Sequence, residues 1–139
     1  MRLRIPNRLE DVFLALDDAE GELDRADVDS ACRADVRLVL EELLVNTVRH
    51  GYPDGREGSI DIVLEVTPDE VRLELRDDAE PFDILDSEPP DLPGDIGQRD
   101  IGGLGLHLAR TIASRICHDS DGSGNRVVIL FDPFDESTP

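Results

Sequence analysis

The sequence predicts an α+β fold: a two-layer α/β sandwich with a mixed, mostly antiparallel sheet and helices on one face. Two observations carry this. The elements read in the order β, α, α, β, β, loop, α, β, and the central strand pair is joined by a connection too short to hold a crossover helix. The apolar residues alternate within the strands and recur three and four apart within the helices, so each element has one face for a shared core.

The first strand spans Arg2 to Ile5 and stops at Pro6, which suits an edge strand. A helix follows with Leu9, Val12, Phe13, Leu16 and Leu23 on its apolar face, Asn7 as its expected N-cap, and Gly21 blurring its end. A stronger helical pattern begins at Asp29 or Ser30, runs through Val36, Leu40, Leu43, Leu44 and Val48, and stops at His50-Gly51-Tyr52-Pro53. Ser59 to Thr67 and Glu70 to Arg76 alternate as strands around Pro68-Asp69 and read as a hairpin. Asp77 to Gly102 is rich in Asp, Pro and Gly and too long for a simple connection, so a functional loop is expected. A helix from near Gly103 is expected to carry Leu106, Leu108, Ala109, Ile112 and Ile116. DGSGN then turns into a last strand, Arg126 to Phe131, and residues 132–139 read as a frayed tail.

Composition narrows the function. The 139 residues suit one domain, 1–139, and 39% hydrophobic residues are enough for a core. The formal charge is −19, and all 14 basic residues are arginine, so a broad basic face for nucleic acid is excluded. Aromatics at 4%, with no Trp, leave little for stacking on bases. Such acidity fits a solvated surface, or a face that steers a basic partner. Cys32 and Cys117 lie in no metal-ligand spacing and read as buried free thiols. No apolar run reaches the ~20 residues of a membrane span and no signal peptide opens the chain, so a cytoplasmic protein is expected. The Met1 start and short tail also argue for a free-standing domain rather than a piece of a longer regulator.

Three constellations carry chemistry. Glu42, Asn46 and His50 are spaced four and four, which puts them on one helical face. An Asn oxygen beside a carboxylate suits Mg²⁺ that also takes phosphate oxygens and water, and Glu42 alternatively suits a general base. The second is Asp77-Asp78-Ala79-Glu80-Pro81-Phe82-Asp83, where a carboxylate at a strand end can accept a hydrogen bond from a ligand amine. The third is Gly102-Gly103-Leu104-Gly105-Leu106, opening a helix whose unpaired N–H groups can meet phosphates. It is neither a Walker A sequence nor a dinucleotide fingerprint, because it lacks the GKS/T ending and follows a loop.

At these residues the chain resembles the GHKL (Bergerat) ATPase/kinase superfamily. Within it the likeness is to the small bacterial anti-sigma factors that are also serine-protein kinases of partner-switching systems. EELLVNTVRHGYP looks like the N box, DDAEPFD like the first glycine box and GGLGLHLAR like the second, so the likeness spans nearly the whole chain. The resemblance implies that Asn46 ligates a Mg²⁺ bridging the ATP phosphates, that Glu42 activates a substrate serine, and that Asp77 accepts from the adenine amino group. It implies an ATP lid over about 81–102, with Phe82 among the nucleotide-binding residues, Gly102, Gly103, Leu104, Gly105 and Leu106 at the phosphates and Arg99 near the γ-phosphate. His50 is then structural. Two positions depart from the pattern. Ala79 stands where Gly is usual and would narrow the adenine floor by a methyl if it approaches the base. Asn125 stands where many members have Thr and can still hydrogen-bond near adenine.

The function implied is an anti-sigma factor that binds Mg-ATP, sequesters a sigma factor and phosphorylates a STAS-type anti-anti-sigma protein on serine. The rival reading is a non-catalytic ATP-binding partner-switch module. Relatives often pair as homodimers, and the apolar positions of the first helix suit either core or interface.

Overall fold

The structure, a computed structural model, describes residues 1–80, 112–113, 115–121 and 124–133. Its elements are β1 (Arg2–Pro6), α1 (Leu9–Arg25), α2 (Ser30–His50), β2 (Ser59–Val66), β3 (Val71–Asp77), β4 (Arg115–Asp121) and β5 (Gly124–Phe131). The strands form one five-stranded sheet in the order β1-β2-β3-β5-β4, antiparallel at every pairing. β1 is an edge strand as Pro6 requires, since proline has no N–H for a second neighbour.

Strand alternation sends Ile60, Ile62, Leu64, Leu73, Leu75, Val127 and Ile129 to the helix side, where they join Val12, Leu16 and Leu23 of α1 and Val36, Leu40 and Leu44 of α2 in one core. Truncating a fully buried leucine here, such as Leu40 or Leu44, would cost about 2–5 kcal/mol. Both helices therefore cover one face of the sheet, as the sequence pattern requires. The opposite face carries Arg4, Asp61, Arg72, Glu74, Arg76 and Arg126. Glu74 is buried there beneath arginines: Arg72 and Arg126 donate to its Oε1 at 2.8 and 3.1 Å, and Arg76 donates to Oε2 at 2.8 Å.

Several expectations are corrected. Asn7 does not cap α1; the N-cap is Arg8, which makes no side-chain cap bond, and Glu10 and Asp11 meet the helix dipole instead. The Asn7 amide is used in a longer-range tie, accepting from Gly58 N–H at 2.9 Å and donating to the Arg56 carbonyl at 3.1 Å. α1 runs through Gly21 to Arg25 because Ala15, Leu16, Ala19 and Leu23 keep its buried stripe continuous. Leu9, Phe13 and Leu14 are its exposed apolar residues.

The helix expected to reach Ile116 does not: Arg115–Asp121 is a strand, and Ile116 pairs with Ile129. A spacing of four from Ile112 also fits the inward side of a strand once β5 offers an open edge. The last strand starts earlier than expected, at Gly124. Cys32 is buried, but Cys117, on the outer side of β4, is exposed. Pro133 is buried and its carbonyl accepts from Asp29 N–H at 3.2 Å, so the chain is anchored beyond β5 rather than frayed from residue 132. Among the described residues no helix is long and apolar enough to cross a membrane.

Candidate nucleotide-binding site

β3 ends at Asp77, and its register partner on β5 is Asn125. Two positions on from Leu75 and two before Val127, both face the helix layer. Asp77 Oδ1 accepts from the Asn125 amide at 2.9 Å and from Ala79 N–H at 3.0 Å. The same Asn125 nitrogen donates to the Glu80 carbonyl at 3.0 Å, so one buried amide holds both the carboxylate and the chain leaving the strand. Burial pushes the Asp77 carboxyl above the usual aspartate value, against the hydrogen bonds from Asn125 and Ala79. Gly124 is obligatory beside it: with φ at 145°, a Cβ there would overlap the Asp77 carbonyl.

The end of α2 meets this strand exit. Gly51, the C-cap, accepts from Glu80 N–H at 2.9 Å through its carbonyl, and a Cβ on it would stand 2.6 Å from the Ala79 Cβ. The Ala79 methyl is thus buried against the end of α2. Tyr52, next in the chain, donates to Asp78 Oδ1 at 2.7 Å. Sequence reasoning noted Tyr52 only as part of HGYP and gave Asp78 no role, because their partnership spans 26 residues. Gly124 was likewise missed, its only signal being the turn-rich DGSGN.

Upstream on α2, Glu42 and Asn46 flank the buried stripe formed by Val39, Leu43 and Thr47, and both are half-buried. Burial raises the Glu42 carboxyl, reinforced by the charge of Glu41 and opposed by Arg49. His50 is exposed at the helix end. The structure therefore gathers Asp77, Ala79 and Asn125 at one sheet end and sets the helix of Glu42 and Asn46 against it. Phe82, Arg99, Gly102, Gly103, Leu104, Gly105 and Leu106 lie outside the described residues, as does the expected lid.

The described residues contain no group of three or more His, Cys, Asp or Glu side chains that could hold a metal ion. A protein-only cage is therefore not supported among them. One Asn oxygen on α2 still fits a Mg²⁺ that takes its other ligands from phosphate and water.

Two helices on one face of an antiparallel sheet, with a half-buried carboxylate at a central strand end, define an α+β sandwich. The chain belongs to the histidine kinase-like ATPase domain family, which it matches over residues 5–131. The serine-protein kinase RsbW of Listeria monocytogenes serovar 1/2a is 26% identical over 114 residues, 79% of this chain and 73% of that protein. The serine-protein kinase RsbW of Staphylococcus aureus (strain JH9) is 26% identical over 121 residues, 84% of this chain and 76% of that protein. Among solved structures, the RsbU and RsbW domains of Rv1364c from Mycobacterium tuberculosis superpose with a TM-score of 0.64 at 15% identity, over 95% of this chain and 32% of that one. The Erythrobacter litoralis EL346 blue-light activated histidine kinase gives 0.57 at 18% identity, over 81% and 34%. The chain thus spans about a third of those solved chains, and they share its fold.

Proposed function

We propose that this protein is an anti-sigma factor and serine-protein kinase that binds Mg-ATP, sequesters a sigma factor and phosphorylates an anti-anti-sigma protein. The observation that carries the reading is the Asp77–Asn125 pair, a half-buried carboxylate held by a buried amide at the end of the sheet, together with relatives named serine-protein kinases. Asp77 accepts a hydrogen bond from the adenine amine. Asn46 holds Mg²⁺, which when bound neutralises charge on the phosphate oxygens. Glu42 receives the proton of the substrate serine as its oxygen bonds to the γ-phosphorus and ADP leaves; partial burial raises this carboxyl above its usual value. The second glycine segment, Gly102 to Leu106, and Arg99 complete the phosphate site in this reading, with residues 81–102 as lid.

Labelled γ-phosphate transfer from ATP to the anti-anti-sigma protein encoded nearest this one tests it, with wild type beside Glu42→Gln. Label on serine from wild type alone supports the kinase and its base. Nucleotide binding with no transfer from either would leave a non-catalytic switch module instead.

A further inference from the structure

Tyr52 and Asp78 have no role so far, yet they join the two halves of the site. Tyr52 leaves α2 one residue after the C-cap and is 6% exposed. Asp78 Oδ1, which accepts its hydroxyl at 2.7 Å, also accepts Ser59 N–H at 3.0 Å. Arg56 pairs with Asp78 Oδ2 at 3.6 Å, donates to the Asp78 carbonyl, and sets its guanidinium carbon 4.9 Å from the Tyr52 ring centroid. Gly58 lets the loop close on this pair: a Cβ there would overlap the Tyr52 ring and stand 2.6 Å from Asp78 Oδ1. Asn7 pins Gly58 from β1 through both its backbone and its side chain.

Asp77 is the last residue of β3 and Asp78 the first beyond it, so the hydrogen bonds from Tyr52 and Ser59 that hold the Asp78 carboxylate fix the backbone directly after Asp77. Tyr52 is bonded to Gly51, whose carbonyl accepts from Glu80 N–H. The contacts therefore close a ring through Gly51, Tyr52, Asp78, Ala79 and Glu80, with Asp77 carried on it. Tyr52 lies between the helix that carries Asn46 and the carboxylate at the strand end.

We propose that Tyr52 is a positioning residue for purine recognition: by holding Asp78 it aims the Asp77 carboxylate so that a 6-amino purine is selected over a 6-oxo purine. The proposal rests on the nucleotide-binding reading above. A merely structural tyrosine would affect all nucleotides alike, whereas one that aims Asp77 changes the ratio between them.

The test is calorimetric titration of the full chain with ATP and with ITP, which carries a 6-oxo group, in Mg²⁺, for wild type and Tyr52→Phe, with thermal unfolding of each apo protein. Wild type is expected to prefer ATP. Tyr52→Phe is expected to lower that preference about fivefold or more while the ITP affinity stays within about twofold. A folded Tyr52→Phe with an unchanged ATP/ITP ratio overturns the proposal and leaves the nucleotide reading intact. If Tyr52→Phe does not fold, Arg56→Gln removes only an exposed guanidinium from the same cluster. A ratio reduced about twofold there supports the proposal, and an unchanged ratio overturns it. Wild type binding neither nucleotide overturns the nucleotide reading itself, and the positioning role with it.

Discussion

Asn125 and Asp77 face each other across β5 and β3, and the amide donates to the carboxylate at 2.9 Å. Its second donation, to the Glu80 carbonyl at 3.0 Å, makes this asparagine the link between the strand-end acid and the chain that leaves the sheet. Asn125→Ala leaves the half-buried carboxylate with one fewer donor and the carbonyl with none from this side chain. We expect a loss of about 1–3 kcal/mol in denaturant unfolding of the apo protein.

Asp77→Asn should behave in the opposite sense. An Asn oxygen can still accept from Asn125 and Ala79 N–H, while the cost of burying a charge disappears. Apo stability is expected to hold or rise by about 1 kcal/mol as ATP affinity falls at least about tenfold. Thermal unfolding with and without ATP reads both. A variant that loses stability and keeps its ATP shift would show that Asp77 is structural.

The pH dependence follows from the same carboxyl. Its folded pKa is raised by burial, so the native state binds this proton more tightly than the unfolded chain. Its contribution to apo stability therefore falls as pH rises from the unfolded value to the folded one. In the proposed function adenine binding uses the ionised form and so runs the other way. ATP affinity should decline on acidification through a limb lying above the ~3.9 of a free aspartate, and Asp77→Asn should lack that limb in calorimetric titrations.

Glu74 supplies a prediction remote from the site. Burial opposes its ionisation, but hydrogen bonds from Arg72, Arg76 and Arg126 together outweigh it and hold its carboxyl below the usual value. A depressed carboxyl contributes stability above its unfolded pKa and loses it as pH falls through the folded one. Glu74→Gln should therefore cost about 1–3 kcal/mol at pH 7, with the gap from wild type closing below about pH 4. Denaturant melts at both pH values check this.

Gly51 and Ala79 should be energetically coupled. A Cβ at position 51 would stand 2.6 Å from the Ala79 Cβ and 2.6 Å from the Thr47 carbonyl oxygen. Gly51→Ala is expected to cost about 1–3 kcal/mol. Combining it with Ala79→Gly should recover at least about 0.5 kcal/mol of that in a double-mutant cycle, the remainder being the clash with Thr47.

The two helices and the β2–β3 hairpin were legible because their patterns are local: periods of 3.6 and 2, with breakers at Gly51, Pro53 and Pro68. β4 was not. Ile112 and Ile116 satisfy a helical spacing, and only the open edge of β5, set by the register Ile116 to Ile129, makes a strand of Arg115–Asp121. Asn7 shows the same limit. Its type suits an N-cap, but Gly58 and Arg56 come within its reach only after β1 and β2 have paired.

By itself the sequence determined the family and the α+β layering and singled out the residue types of a candidate site, because motif spacing and apolar periodicity act within a few residues of chain. The tertiary structure alone decided how those residues are held: that Asn125 takes Asp77, that the Ala79 methyl rests against Gly51, that Tyr52 locks Asp78, and that three arginines bury Glu74. Most of these contacts join residues far apart along the chain, and their partners are chosen by strand register and by the packing of α2 against the strand end. Neither of these is written in any local pattern.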